Sequence, residues 1–260
     1  MKHVATLLLL SLSTTAYAQN APDSPVNTGH DLTKPLHRID LFQNYTTPSD
    51  GINSWTSTLR YERPFELENN WKVAYRFELP FIYSNDGSGP VGYRGSYGDT
   101  LMQAVISNAK ISEREGMGFG LRFIAPTASD PALGTGKWLM LPTVGYRYSL
   151  PEFSEGSYFQ FVARYRFDFA GDPTRSHYSD LQFAPSLNIA LPLSWYLTLF
   201  PSTDIRYNFM RQEWFVPFNF EIGRALSEKL QAGLEIGFPM LQGNFPVYKF
   251  KAEVHLTILF

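Results

Sequence analysis

His177-Tyr178-Ser179 is the point where residue types and spacing come nearest to covalent chemistry. A histidine two residues from a serine shares a face with it on an extended segment and can serve the hydroxyl as general base. In the register set by Leu181 and Phe183 that face is apolar, so the chemistry would be attack on a lipid ester from the membrane side. Asp180 follows the serine and no Asn-Gly comes after it, while Asn208, which could orient the imidazole, has the register of the opposite face. A three-residue match in a polar loop is weak support. Ser179 and His177 therefore stand as an alternative catalytic pair to a non-enzymatic reading. His30, His37 and His255 show no metal-ligand spacing. The chain has no cysteine, which removes thiolate sites, cysteine nucleophiles and disulfides together. No phosphate loop or dinucleotide fingerprint occurs, and no metal or cofactor is expected.

Most charged residues follow another pattern: they alternate with apolar ones. Lys249, Lys251, Glu253 and His255 interleave with Tyr248, Phe250, Ala252, Val254, Leu256, Ile258 and Phe260 at the C-terminus. Lys72, Arg76 and Glu78 oppose Trp71, Val73, Tyr75, Phe77, Leu79 and Phe81. Gln160, Arg164, Arg166 and Asp168 oppose Phe159, Phe161, Ala163, Tyr165, Phe167 and Phe169, and Gln231 and Glu235 oppose Leu230 to Met240. Period-two alternation is strand geometry, with one wet face and one greasy face. Faces this uniformly apolar belong against lipid, where a charge costs about 2–4 kcal/mol at the midplane.

Twelve segments have this character, near residues 38–46, 55–65, 71–83, 99–111, 117–126, 137–149, 157–169, 179–190, 194–207, 213–225, 229–240 and 248–260. Their connections alternate between short turns (LENN, SERE, PEFSEG, PLS, LSEK) and mostly longer, looser loops. That sorting is expected of an antiparallel up-and-down β-barrel spanning the outer membrane, with both termini in the periplasm. Trp71, Trp138, Trp195 and Trp214 lie near strand ends, as interfacial residues should. Pro80, Pro142, Pro185, Pro201, Pro217 and Pro239 fall inside proposed strands. Each lacks an amide donor, which predicts bulges, kinks or a wall that opens sideways, unless the strand boundaries are misplaced by a few residues.

The N-terminus agrees with export. Residues 1–18 pair a short basic start with an apolar run and end in Ala16-Tyr17-Ala18, the pattern of a cleaved signal peptide. Residues 19–37 are polar and proline-bearing and read as a flexible periplasmic lead-in, leaving 38–260 as the barrel. Aromatics make up 16% of the chain at a mean hydropathy of -0.20, which suits alternating greasy and wet positions and excludes a helical membrane protein. A net charge of -2 with no basic run excludes a nucleic-acid partner.

The inward face would carry Arg60, Glu62, Lys72, Arg76, Glu78, Arg122, Arg147, Arg164, Arg166, Asp168, Asp204, Arg206, Glu221, Glu235, Lys249, Lys251 and Glu253. This mixture of signs either fills a narrow barrel as a salt-bridge network or lines a hydrated lumen. The loop from Ser84 to Gly98 is the expected lid, with Tyr93, Arg94 and Tyr97 able to meet an aromatic solute. The expected partners are outer-membrane lipids, the barrel-insertion machinery and a small-molecule solute.

Two resemblances bear on function. The His177-x-Ser179 pair resembles that of outer-membrane phospholipase A and of the lipid A deacylases. A longer one runs through FELPFIYS (77–84), Gly98-Asp99, GFGLRFIAPTASDPALGTGKWLMLPTVGY (118–146), FAGDPTR (169–175) and LQFAPSLNIALP (181–192). Those segments resemble the outer-membrane transporter family associated with the MetA pathway of phenol degradation, over about residues 55–225. That resemblance implies a porin-like channel for small, hydrophobic or aromatic solutes in the outer membrane of a Gram-negative bacterium, and makes His177 and Ser179 incidental. A structural barrel with a plugged lumen is the remaining alternative.

Overall fold

The structure, a computed structural model, describes residues 27–47, 53–85, 94–243 and 247–260. The signal peptide expected over 1–18 lies outside them. The strands are β1 (Arg38–Thr47), β2 (Ser54–Glu66), β3 (Trp71–Ser84), β4 (Arg94–Tyr97), β5 (Thr100–Asn108), β6 (Glu115–Ala125) and β7 (Lys137–Ser149). They continue as β8 (Tyr158–Gly171), β9 (Ser179–Ala190), β10 (Trp195–Leu199), β11 (Ile205–Asn208), β12 (Glu213–Ser227), β13 (Leu230–Gln242) and β14 (Phe250–Leu259).

All pairings are antiparallel, and β1 pairs with β14 from Arg38↔Leu259 to Thr47↔Phe250, so the sheet closes on itself. Closure satisfies every strand edge, the condition for a sheet to sit in lipid. Fourteen segments make twelve barrel strands. β4 and β5 both pair with β3 and are parts of one strand interrupted at Gly98-Asp99. β10 and β11 both lie between β9 and β12 and are parts of another. The expectation of one unbroken strand over 194–207 is corrected at the second place, and at the first the strand expected over 99–111 runs unbroken from Thr100 to Asn108 and resumes as β4 in the segment expected to be a loop.

The second interruption breaks the ladder of the wall. Between Leu199 and Ile205 the chain leaves the sheet, starting at Phe200, whose φ of 51° is left-handed and turns the backbone inward. Opposite the gap, β9 loses its ladder between Phe183 and Leu187, and β12 loses it between Phe215 and Phe220. Pro185 and Pro217 sit in those stretches, and Pro217 pairs with Pro239 across a register shift in the next ladder. Prolines cannot donate, so they collect where the sheet leaves a donor unneeded. Pro80 similarly marks where β3 passes from β5 to β4, with Gly98 N–H donating to its carbonyl at 2.9 Å.

The greasy faces point outward. Tyr75, Leu79, Phe161, Leu234 and Phe238 are all exposed, as a lipid-facing belt requires, and no helix of the described residues is long and apolar enough to cross a membrane. The connections at the end holding both termini are on the whole the shorter set, as at a periplasmic end.

Residues 27–37 are not a free lead-in. They pass into the lumen from the periplasmic end, with Thr28, Asp31 and Thr33 buried. Leu32 lies against Gly118 and Gly145; a side-chain carbon added at Gly145 would come within 2.4 Å of it. Glycine on two adjacent strands thus makes the recess that receives the segment. The physical reason for the correction is that this polar stretch finds its hydrogen-bond partners on the lumen wall.

Candidate functional site in the barrel lumen

The inward segment is held at both ends and in the middle. Asp31 pairs with Arg147 at 2.6 Å with both side chains nearly inaccessible, and Arg147 also lies over the Tyr158 ring. Gln160 on β8 grips the backbone twice, donating to the His30 carbonyl at 2.9 Å and accepting the Leu32 amide at 2.7 Å. Arg38 donates to the Gly29 carbonyl, and Gln231 donates to that of Asn27. His30 reaches Glu221 at 3.0 Å. Burial alone would lower the imidazole pKa, but the Glu221 carboxylate outweighs it and the net shift is upward. His255, expected as an inward residue near the periplasmic mouth, lies on the far side of Glu221, its ring 6.4 Å from that of His30. Tyr196 donates to the same carboxylate at 2.7 Å and occupies the space left by Gly223.

Above this segment the lumen holds a cavity of about 370 Å3. Arg60, Glu62, Arg76, Arg122, Arg164, Arg166, Asp204, Arg206, Glu235 and Glu253 all line it. Apolar side chains of the segment (Leu32, Pro35) and of the wall (Val105, Ile124, Leu141, Val162) line it as well. Around it the charges are mostly paired. Arg60 meets Glu78 at 2.7 Å, Arg76 meets Glu62, Arg166 meets Asp180 at 2.6 Å, and Lys251 meets Glu235 at 2.8 Å and Asp204 at 3.2 Å. Asn219 and the Tyr248 hydroxyl complete the cluster on Asp204. Lys72 is held further out, by Glu66 at 2.7 Å.

Several positions differ from the sequence reading. Lys249 precedes β14 and is exposed, outside the lumen, whereas Tyr248 turns inward instead of facing lipid. The alternation breaks there because the strand begins only at Phe250. Tyr97 is 66% exposed and packs edge-on against Phe81, so it faces outward and does not cover the mouth. Arg94 is tied to Asp130 at 2.9 Å, and Tyr93 lies outside the described residues.

The His177 and Ser179 side chains part company. Ser179 Oγ is 2.9 Å from the hydroxyl of outward-facing Tyr165. His177 Nδ1 is 2.9 Å from Asp168, an inward carboxylate that also meets Lys137 at 3.5 Å and accepts the Tyr178 amide. The expected shared lipid face does not form, because the chain enters β9 only at Ser179 and His177 is still in the loop. No hydrogen bond joins the pair among the described residues.

The sequence motifs of the outer rim have a structural role. Asp99 accepts both the amide and the hydroxyl of Thr135 at 2.6 Å, and the Ala128 amide at 3.1 Å. Asp172 caps Thr174, and Arg175 donates to the Pro131 carbonyl. These contacts clasp two outer connections and the Gly98-Asp99 interruption into one rim. The lumen segment, by contrast, is not legible in the sequence: Asn27 to His37 carries no periodicity, and its only signal is the adjacent His30 and Asp31, with Lys34 and His37, in a stretch otherwise rich in turn formers.

A search of curated proteins found no match. Among solved structures the chain is similar to the COG4313 outer membrane channel from Pseudomonas putida F1, at 15% identity and a TM-score of 0.70, covering 90% of this chain and all of that one. It is also similar to the NanC porin (11% identity, TM-score 0.53, 85% of this chain and 100% of that one) and the KdgM porin (10%, 0.51, 86% and 99%). These likenesses establish the fold of an outer-membrane barrel. The family described as "Putative MetA-pathway of phenol degradation" matches residues 37–213, and the chain belongs to that family.

Proposed function

We propose that this protein is a passive outer-membrane channel for small solutes with an apolar or aromatic body. The observation that carries this reading is the lumen cavity of about 370 Å3 lined by both ionic and apolar side chains. A barrel built only as a scaffold gains nothing from ringing its lumen with buried charges. The family, and the channel from P. putida F1 whose fold it shares, support the same conclusion. The proline-flanked break in the ladder between β9 and β12 is where the wall would part most readily for apolar molecules entering from the side. The lipid-facing belt and the exposed terminal Phe260 suit outer-membrane lipids and the barrel-insertion machinery as partners.

The test is uptake of phenylalanine, a small aromatic zwitterion that crosses lipid poorly, by liposomes containing the folded protein. Uptake well above that of protein-free liposomes is expected. Equal uptake would support the second reading, a structural barrel plugged by residues 27–37, which their packing in the lumen favours.

A further inference from the structure

We propose that the lumen cavity binds a small organic monoanion, a carboxylate on an apolar or aromatic body, with Arg122 and Arg164 as its recognition pair. The other arginines around the cavity have carboxylates: Arg60 has Glu78, Arg76 has Glu62, Arg166 has Asp180 and Arg206 has Asp204. Arg122 and Arg164 have no ion pair among the described residues. Arg122 Nε donates to the neutral Gln103 at 2.8 Å, and Arg164 Nη1 donates to the Thr203 hydroxyl at 2.8 Å. Arg164 Nε is buried and without a hydrogen-bond partner.

The wall around them is free of opposing charge at this level. Inward positions on β5 to β9 in the rows joining Gln103 to Arg122 and Thr143 to Arg164 to Gln182 hold amides, a hydroxyl and guanidinium groups, with no carboxylate. Glu78 acts on both arginines but is already held by Arg60. Two guanidinium groups left this way repel each other, and one neutral hydrogen bond apiece offsets only part of their desolvation. A bound carboxylate would remove both costs, and the planar fork of arginine suits that group in particular.

The rest of the cavity narrows the class. Val105, Ile124, Leu141 and Val162 line it beside the arginines and would take the apolar body. Glu235 and Glu253 line it too and would repel a second negative charge, which argues for a monoanion over a phosphate dianion. A volume of about 370 Å3 suits a molecule the size of a substituted benzoate. This assignment deepens the channel reading by naming a substrate class, although binding itself does not require transport.

Titration calorimetry on the folded full chain in detergent tests it, with sodium benzoate, benzamide as neutral isostere and inorganic phosphate as probes. Benzoate is expected to bind at least ten-fold more tightly than either of the others. Arg164→Gln and Arg122→Gln should each weaken benzoate at least ten-fold, and Arg164→Gln should melt no lower than the parent because the charge removed was uncompensated. Benzoate binding no better than benzamide or phosphate would overturn the proposal using the unmutated protein alone. So would unchanged benzoate affinity in folded Arg164→Gln. Benzoate binding without phenylalanine uptake by liposomes would sink the channel reading and leave the anion site standing, and the reverse pair of results would sink the anion site alone.

Discussion

Asp31 and Arg147 form the ion pair on which the lumen segment most depends, since both side chains are almost fully withdrawn from water. Breaking such a pair leaves an uncompensated buried charge. Asp31→Asn should therefore weaken the attachment of residues 27–37 by about 3–5 kcal/mol, seen as faster amide exchange in that segment with the barrel strands unaffected. His30 makes the same attachment pH-dependent. Its pKa is raised in the folded protein, so its contribution is fully present below the ordinary histidine range and is lost as pH rises through the raised value. Protection factors in 27–37, taken relative to the base-catalysed intrinsic rate, should fall across that window, and His30→Gln should abolish the fall. Ser179→Ala should leave phospholipid hydrolysis at the background level of the parent, because Ser179 bonds Tyr165 and His177 bonds Asp168. The sequence alone put the arginines and carboxylates on one face correctly in kind, since period-two alternation is a local property. It could not pair Asp31 with Arg147 or part His177 from Ser179, because those depend on a non-periodic segment and on where a loop ends.

At the level of elements, the strands were legible to within a few residues for the same reason, and the two interruptions were not. A break such as 200–204 leaves no mark in apolar alternation; only the prolines hinted at it, and a proline fits equally well with a misplaced boundary. The structure shows Pro185 and Pro217 opposite the break, where donors are not required. The Asn219 amide, which faces the break like the Asn219 carbonyl that takes the Phe200 amide, should accordingly exchange faster than those of Glu221 and Gly223, which face β10. Equal protection across β12 would mean the wall is continuous there. Gly223 offers a second check, since a side-chain carbon at that position would come within 2.3 Å of the Tyr196 ring. Gly223→Ala should destabilise the barrel by about 1–3 kcal/mol in reversible urea unfolding by forcing that ring away from Glu221.

For the whole molecule, the closed sheet fixes where the chain resides, and the relation between lumen and inward segment fixes what it can pass. The belt of outward aromatics and the charged interior follow from the same alternation, so membrane residence was readable from residue order. Whether the interior is filled was not readable, because twelve strands enclose a lumen between the packed and the open extremes. The structure gives an intermediate answer: a charged, partly apolar cavity with residues 27–37 packed on its periplasmic side. On the channel reading this cavity is a conduit narrowed by that segment. Single-channel conductance in planar bilayers, comparing the parent protein with Asp31→Asn, tests it most directly. A small steady conductance in the parent that rises in Asp31→Asn is predicted; traces with no conductance in either protein would contradict it.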